Sequence, residues 1–235
     1  MPLSNAASGV YNAFFSTLAL QFKFVHHVVF YSPGLTKDCL GLDLIPARLR
    51  KRFRFEERHH ATSILATDFP EEFNDLLLCL DAFRLKKSDI LTPGGGRSPI
   101  PKAIDGFLGQ RKWAEKSFDI KITVDGDPIP IPTHKIDNFK NRIGVEVEWN
   151  NKTEFYDRDL NNFRLLWELR VLSAGVIITR LSELQHLFDE LGKGESYGNS
   201  TTHWDKLIPK VESGGAGGCP LLLIGMGMGC YDADH

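Results

Sequence analysis

The stretch that decides the fold is IDNFKNRIGVEVEWNNK, residues 136–152. At its centre, residues 145–149 alternate between apolar and charged side chains, which is typical of a β-strand with one buried face. Glu146 and Glu148 lie two positions apart, so both carboxylates point to the same face of this strand. The apolar side chains at 145, 147 and 149 take the opposite face and can bury it.

A third acid, Asp137, precedes Glu146 by nine positions, a distance that suits an adjacent turn or the end of a preceding strand. Three carboxylates converging at a sheet edge repel one another unless a cation lies among them. Hard oxygen ligands favour magnesium, manganese or calcium over zinc. The alternative is a solvated strand whose glutamates decorate its outer face, and these residues alone favour that alternative.

Composition describes a globular protein of 235 residues, with 42% hydrophobic and 25% charged residues. The net charge of -2 disfavours a uniformly basic nucleic-acid binder but leaves room for a local basic patch. We expect one compact domain over residues 46–235, with residues 1–45 as an N-terminal arm or as extra core elements.

The cysteines and the apolar segments predict a cytoplasmic protein that does not span a membrane. The four cysteines form no Cys-x-x-Cys pair, and no secretory signal with a basic start is apparent, which favours free thiols in a reducing compartment. The most apolar early stretch, residues 11–31, is interrupted by polar side chains well short of a membrane span. We interpret it as a core-facing helix or strand.

Hydrophobic periodicity predicts an alternation of strands and helices. Helical spacing runs through residues 64–83 with a break at Pro70, and helices are expected again at 153–172, where Asp157 or Asp159 could cap the helix, and at 181–192. Strands are predicted at 118–129 with an Asp125-Gly126 turn, at 174–180 and at 219–228, and loops at 91–102 and 198–218. This order predicts the α/β class, with a mixed or parallel central sheet covered by helices.

The run THKIDNFKNRIGVEVEWNNKTEFYDRDLNNFR, residues 133–164, resembles the core of the BglII/BstYI-type restriction endonucleases. The resemblance continues in GVIITRLSELQ, 175–185, and in STTHWDKLIPKVESGGAGGCPLLLIGM, 200–226. Upstream, FRFEERHHATSILATDFPEEF is similar to the N-terminal helix region of the family. The resemblance therefore covers roughly residues 50–226.

The resemblance implies the PD-(D/E)xK nuclease fold, a mixed central β-sheet flanked by helices. It implies that Asp137 and Glu146 are metal ligands, joined by the backbone carbonyl of Val147. Glu148 then occupies the third catalytic position, where a lysine is usual in this fold. The implied cofactor is Mg²⁺, with Mn²⁺ able to substitute. Glu56 and Glu57 are expected on the N-terminal helix, as a further carboxylate of the site or as solvated residues.

The resemblance also suggests residues that contact DNA. Phosphates need cations to offset the acids, and the candidates near the site in sequence are Lys140, Arg142, Lys152, Arg158 and Arg164. The alternative for these side chains is ion pairing with neighbouring surface acids. Thr201, Thr202 and His203 can reach base edges or phosphates from a loop. Their alternative is a cap for a helix that begins near Trp204.

The expected function is a magnesium-dependent type II restriction endonuclease that cuts double-stranded DNA at a short palindromic site with a GATC centre. Such a site matches a homodimer, because each subunit can cut one strand. No nucleotide cofactor is expected, because the glycine-rich segment at 213–220 lacks the Gly-Lys-Ser/Thr ending of a phosphate loop. The alternatives are a sequence-specific DNA-binding protein without cleavage and a carboxylate-based hydrolase of sugars. The latter needs two carboxyls roughly 5 to 9.5 Å apart.

Overall fold

The structure, a computed structural model, describes residues 40–93, 96, 98–131, 133–198 and 200–234. Most of the expected arm at 1–45, including the apolar stretch at 11–31, therefore lies outside the described residues. The described residues lie in one compact unit. The boundary at residue 45 stays a prediction.

Helices of the described chain pack on both faces of a central sheet. Short 3₁₀ turns occur at Leu40–Leu44 and Met228–Cys230. The α-helices are α1 (Ala47–Arg50), α2 (Ala61–Asp68), α3 (Pro70–Ala82), α4 (Lys87–Leu91), α5 (Pro99–Gly109), α6 (Glu154–Glu168), α7 (Leu184–Glu190) and α8 (Trp204–Glu212). None of the described helices is long and apolar enough to cross a lipid bilayer.

The central sheet has six strands and mixed polarity, which confirms the predicted α/β class. The strands are β1 (Phe53–Arg58), β2 (Leu85–Lys86), β3 (Ala114–Lys116), β4 (Ile120–Val124), β5 (Asp127–Ile131), β6 (Ile136–Lys140), β7 (Ile143–Glu148), β8 (Ala174–Arg180), β9 (Leu221–Met226) and β10 (Tyr231–Asp232). The main sheet has the order β1-β9-β8-β7-β6-β3, and its β7, β8 and β9 are parallel. Two small sheets pair β10 with β2 and β4 with β5.

The parallel strands are buried along their whole length because helices cover both faces of the sheet. One face packs against α1, α2, α3, α5 and α7, and the other against α6 and α8. The second face is close-packed: a Cβ on Gly175 of β8 would lie 2.5 Å from Cδ2 of Phe163 on α6. This contact holds α6 tightly across the strands that carry the acids.

Several expected elements occur where the sequence predicts them. The buried strand at 174–180 is β8, and the break at Pro70 separates α2 from α3. The predicted turn joins β4 to β5, and Asp125 and Gly126 both have positive φ angles, 51° and 95°. That is the conformation of a tight hairpin turn whose twist matches its strands.

Other expectations were wrong. The segment at 91–102 is not all loop, because α5 begins at Pro99, after Ser98, whose hydroxyl accepts the amide of Ile100. The segment at 198–218 contains α8, whose apolar stripe of Trp204, Leu207 and Val211 is hidden in a polar composition. In both segments, a short helix with one apolar face forms although polar residues, glycine and proline are abundant.

The N-terminal region and the start of α6 also differ from the expectation. Glu56 and Glu57 lie on strand β1, not on a helix, because β1 pairs along its whole length with the distant β9. Their carboxylates bind Arg54, Arg58 and the amide of Thr62. Helix α6 begins at Glu154, so Asp157 and Asp159 lie inside the helix and do not cap it.

Candidate active site

The register of β6 and β7 makes Asp137 and Glu146 neighbours. The two antiparallel strands pair from Lys140↔Ile143 to Asn138↔Val145, across a two-residue turn. One step further along the same register places Asp137 level with Glu146, and its backbone amide donates to Glu146 Oε2 at 3.4 Å. Regular pairing stops at this step. The acids therefore lie where the two strands part.

Glu146 and Glu148 are buried, which excludes the solvated-strand interpretation. Their side chains are 1% and 2% exposed. In the parallel register they lie beside Ile177 and Thr179 of β8. Ile177 belongs to the core packed against α6, and the Thr179 hydroxyl lies 2.6 Å from the hydroxyl of Tyr156 on α6. The predicted alternation is thus correct. The polar face of the strand is buried because α6 packs over it.

Burial sets the protonation of these acids. Desolvation raises the pKa of Glu146 well above its ordinary value, and the charges of Asp159 and Asp137 raise it further. Desolvation is also the main cause that raises the pKa of Glu148 to about 9, with Asp159 adding to it. Because these carboxyl groups are buried close together, their protonated forms are favoured unless cations replace the protons.

Asp159 is a fourth carboxylate of this cluster, and the sequence interpretation missed its role. Its side chain is 0% exposed, and its charge contributes to the raised pKa of both Glu146 and Glu148. The missed signal is the helical spacing from Tyr156 to Phe163, which places Asp159 on the apolar stripe of α6.

Arg158 is the cation that the fold brings to the acids. Its Nη2 lies 2.9 Å from Asp159 Oδ1 and 3.5 Å from Glu148 Oε1. Its guanidinium stacks over the ring of Phe155 at 4.1 Å from the centroid. Of the candidate DNA contacts, this one directly touches the acid cluster.

The loop after β7 holds Glu148 from the other side. Asn151 Nδ2 donates to Glu148 Oε2 at 2.8 Å. Thr202 is buried, and its hydroxyl accepts the backbone amides of Asn150 and Asn151 at 3.3 and 3.1 Å. A chain of contacts therefore runs from Thr202 through the loop to the carboxylate of Glu148.

The three residues at 201–203 contact protein. Besides the role of Thr202, the Thr201 hydroxyl accepts from the guanidinium of Arg180 at 3.0 Å. His203 is 6% exposed, with Nδ1 3.0 Å from the Ser182 hydroxyl. These contacts stabilise the loops on either side of residues 201–203. A DNA contact by these side chains stays a prediction, and the burial of Thr202 and His203 does not favour it. Nor does a side chain cap α8, whose N-cap position is His203.

The structure does not bring Lys140 and Arg142 to the acid cluster. Lys140 Nζ lies 2.7 Å from Glu71 and 3.0 Å from Asp75, both on α3. Arg142 is exposed in the turn at the far end of the β6–β7 hairpin. Lys152 is exposed and pairs through its backbone with Thr201, next to the loop that holds Glu148.

A pocket of about 320 Å³ opens beside the acids. Its lining includes Asp137, Val147, Glu148, Asn151 and Arg158, and Arg158 is the one lysine or arginine among the described residues that line it. His134 also lines the pocket, and burial together with the charge of Arg158 lowers the pKa of this imidazole. The pocket is thus lined by two acids, Asp137 and Glu148, and by one permanent positive charge, Arg158.

The donors fit a hard divalent cation in their chemistry. They are oxygen atoms, and Glu146 Oε1 is buried without a hydrogen-bond partner in the part of the chain that the structure describes. Within that part, no three His, Cys, Asp or Glu side chains converge closely enough to hold a metal ion.

The sequence profile of a known family, described as restriction endonuclease BglII/BglIII, matches residues 53–226. The match spans more than half of the chain. It contains the acids Asp137, Glu146 and Glu148, the loop between β7 and α6, and helices α6 and α8. Among curated proteins, no single sequence matches the chain.

Proposed function

Since the chain belongs to the restriction endonuclease BglII/BglIII family, we propose that it hydrolyses phosphodiester bonds at a short palindromic site in double-stranded DNA, with Mg²⁺ as cofactor. Family membership makes the chain a nuclease, and double-stranded DNA its partner. The observation that carries the proposal is the buried acid cluster where β6 and β7 part, beside a pocket with an arginine on its wall.

In this proposal, Asp137 and Glu146 hold the cation with the backbone carbonyl of Val147. Magnesium supplies two things when bound: a lower pKa for a coordinated water and neutralisation of charge on the phosphoryl oxygens. Mn²⁺ has the same ligand preference and substitutes for it. Glu148 takes the third position, as a further metal ligand or as the group that orients the attacking water, since Asn151 and Arg158 hold its carboxylate at the pocket.

The recognition site and assembly follow from the family resemblance, not from the geometry of the acid cluster. We propose a site with a GATC centre and a homodimer in which each subunit cuts one strand. Lys152 and Arg142 are exposed and are proposed phosphate contacts on the DNA-facing surface. The three free, buried cysteines among the described residues suit the reducing cytoplasm, where we place the enzyme.

A sequence-specific DNA-binding protein without cleavage is the main rival. It does not need a cluster of carboxylates beside a pocket, because acids repel the DNA backbone. The sugar hydrolase alternative loses its basis with the family match.

The test begins with digestion of a sequenced plasmid in Mg²⁺ and mapping of the cut ends, which defines the site. Glu146→Gln then keeps the side-chain size but removes the charge of a ligand. We expect a loss of cleavage on the order of 10²-fold or more, the scale for removing one electrostatic contact at a reacting centre. Binding of the mapped duplex in Ca²⁺ is expected to persist.

The matched control is Glu72→Gln, a buried glutamate on α3 away from the pocket. It is expected to keep full cleavage. Cleavage by Glu146→Gln at the rate of the parent enzyme would refute the assignment of the ligand. Tight, site-specific binding with no cleavage in Mg²⁺ or Mn²⁺ would instead support the non-cleaving rival.

A further inference from the structure

The burial of Asp159 calls for an explanation that helix formation does not supply. The carboxylate lies inside α6, is 0% exposed, and is close to two other acids, Glu146 and Glu148 of β7. An uncompensated buried carboxylate destabilises a fold strongly, and a well-packed apolar residue would serve the core as well or better. The side chain must therefore do something that an apolar residue cannot do.

What Asp159 does is hold Arg158. Both Nε and Nη2 of Arg158 lie 2.9 Å from Asp159 Oδ1, and the ring of Phe155 lies under the guanidinium. A side chain with several free rotors is thereby held by a carboxylate on one side and an aromatic face on the other. Such pre-organisation removes much of the entropy that an arginine loses when it binds a ligand.

The held guanidinium still has donors to offer. Arginine has five N–H donors, and its described contacts with Asp159 and Glu148 use Nε and Nη2. The side chain is 31% exposed and lines the pocket beside Asp137, Val147 and Glu148. A planar fork of this kind matches the geometry of phosphate oxygens.

We propose that Asp159 is a positioning residue that holds Arg158 against the acid cluster, so that the guanidinium binds the phosphate being cut and stabilises the charge that develops on it. This inference rests on the proposed function and assigns a role to a residue that takes no part in holding the cation. Because arginine stays protonated at all working pH values, the charge that it supplies is permanent.

The experiment compares Arg158→Gln, Asp159→Asn and the double variant in two assays. The first is binding of the mapped duplex in Ca²⁺ over a range of salt concentrations. The second is cleavage in Mg²⁺, with kcat and KM determined separately. The control is Arg111→Gln, since Arg111 also stacks on a ring, that of Phe107 at 3.9 Å, and lies 3.5 Å from a buried carboxylate, Asp75.

Arg158→Gln is expected to lower the slope of log affinity against log salt by about 0.9, the value for one lost phosphate contact. It is also expected to lower kcat on the order of 10²-fold. Asp159→Asn is expected to lower kcat by about 10-fold or more with a smaller effect on KM. The double variant is expected to resemble Arg158→Gln alone, because Asp159 acts through Arg158.

An unchanged salt slope for Arg158→Gln would overturn the phosphate contact. Additive losses in the double variant would overturn the positioning role of Asp159. If Asp159→Asn does not fold, Arg158→Lys replaces it: a retained salt slope with reduced kcat supports the oriented fork, and full kcat overturns it. Failure of the parent enzyme to cleave in any divalent cation would count against the proposed function alone, since the salt slope of binding to a duplex selected by affinity still reports the phosphate contact.

Discussion

At the scale of single residues, the main feature is the concentration of acids in a buried site. Glu146, Glu148 and Asp159 each have a raised pKa, and desolvation is the first cause for all three. Without a cation, the folded protein favours the protonated forms. A cation that replaces those protons binds more tightly as the pH rises, because the protons it competes with become scarcer.

This predicts how the stability of the metal-free protein depends on pH. A raised pKa in the folded state gives a stability contribution that is fully present below the ordinary value near 4.5. The contribution is lost as the pH rises through the folded value, which is about 9 for Glu148. The melting temperature in EDTA is therefore expected to fall across this window, and added Mn²⁺ or Mg²⁺ is expected to restore more stability at pH 8 than at pH 6.

The measurement is a series of thermal melts with and without the cation. The double variant Glu146→Gln, Glu148→Gln serves as the control, and we expect it to flatten both dependences. A melting temperature that rises from pH 5 to pH 8 in EDTA would contradict the assigned shifts.

At the scale of elements, the loop between β7 and α6 connects the core to the pocket. Asn150 has a φ angle of 132°, a conformation that a residue with a side chain rarely adopts and that is maintained only by its surroundings. The Thr202 hydroxyl accepts the amides of Asn150 and Asn151, and the Asn151 side chain donates to Glu148. The position of Glu148, which we propose to be catalytic, thus depends on a hydroxyl two contacts away.

Thr202→Val keeps the shape of the side chain but removes that hydroxyl. We expect a loss of stability of about 1–3 kcal/mol, because two partly buried amides lose their acceptor. We also expect lower kcat, because the loop no longer holds Asn151 against Glu148. Urea unfolding and single-turnover cleavage measure the two effects.

The control for this variant is Thr67→Val. The Thr67 hydroxyl donates to Ser63 O on the exposed surface of α2, so its loss is expected to change stability and cleavage little. Parent-level cleavage by Thr202→Val in a destabilised protein would show that the loop is structural only.

At the scale of the whole molecule, the open question is how one acid cluster per chain produces a break in both strands. A palindromic duplex has a two-fold axis, and a homodimer with the same axis presents one cluster to each strand. The net charge of -2 means that the DNA-facing surface must gather cations locally.

We expect two 26.5-kDa chains to bind each duplex that carries the mapped site. Sedimentation of the complex in Ca²⁺ gives the stoichiometry, and a duplex of the same composition without the palindrome is the control. One chain per duplex, together with cleavage of both strands, would refute the dimer.

The core of the fold and of the site could be predicted from local periodicity. The alternation around Val145 and Val147 is a property of neighbours along the chain, so it identified the strand and the shared face of its two glutamates. The nine-residue spacing of Asp137 and Glu146 needs only a tight turn to become a strand pair, and Asn141-Arg142 supplies one. Helix α5 was missed, and α8 was considered only as an alternative, because composition outweighed short apolar stripes in these segments.

The sequence by itself therefore determined the strand and its acidic face, and it placed Asp137 in an adjacent turn or at the end of a preceding strand, because these depend on a repeat of two residues and a short spacing. Only the tertiary structure decided that the acids are buried, that Asp159 joins them, and that Arg158 is the cation at their side. The tertiary structure also pairs Lys140 with Glu71 and Asp75 of α3 and buries Thr202. These outcomes depend on how α6 and α8 pack across the sheet, and packing between distant elements leaves no periodic mark in the chain.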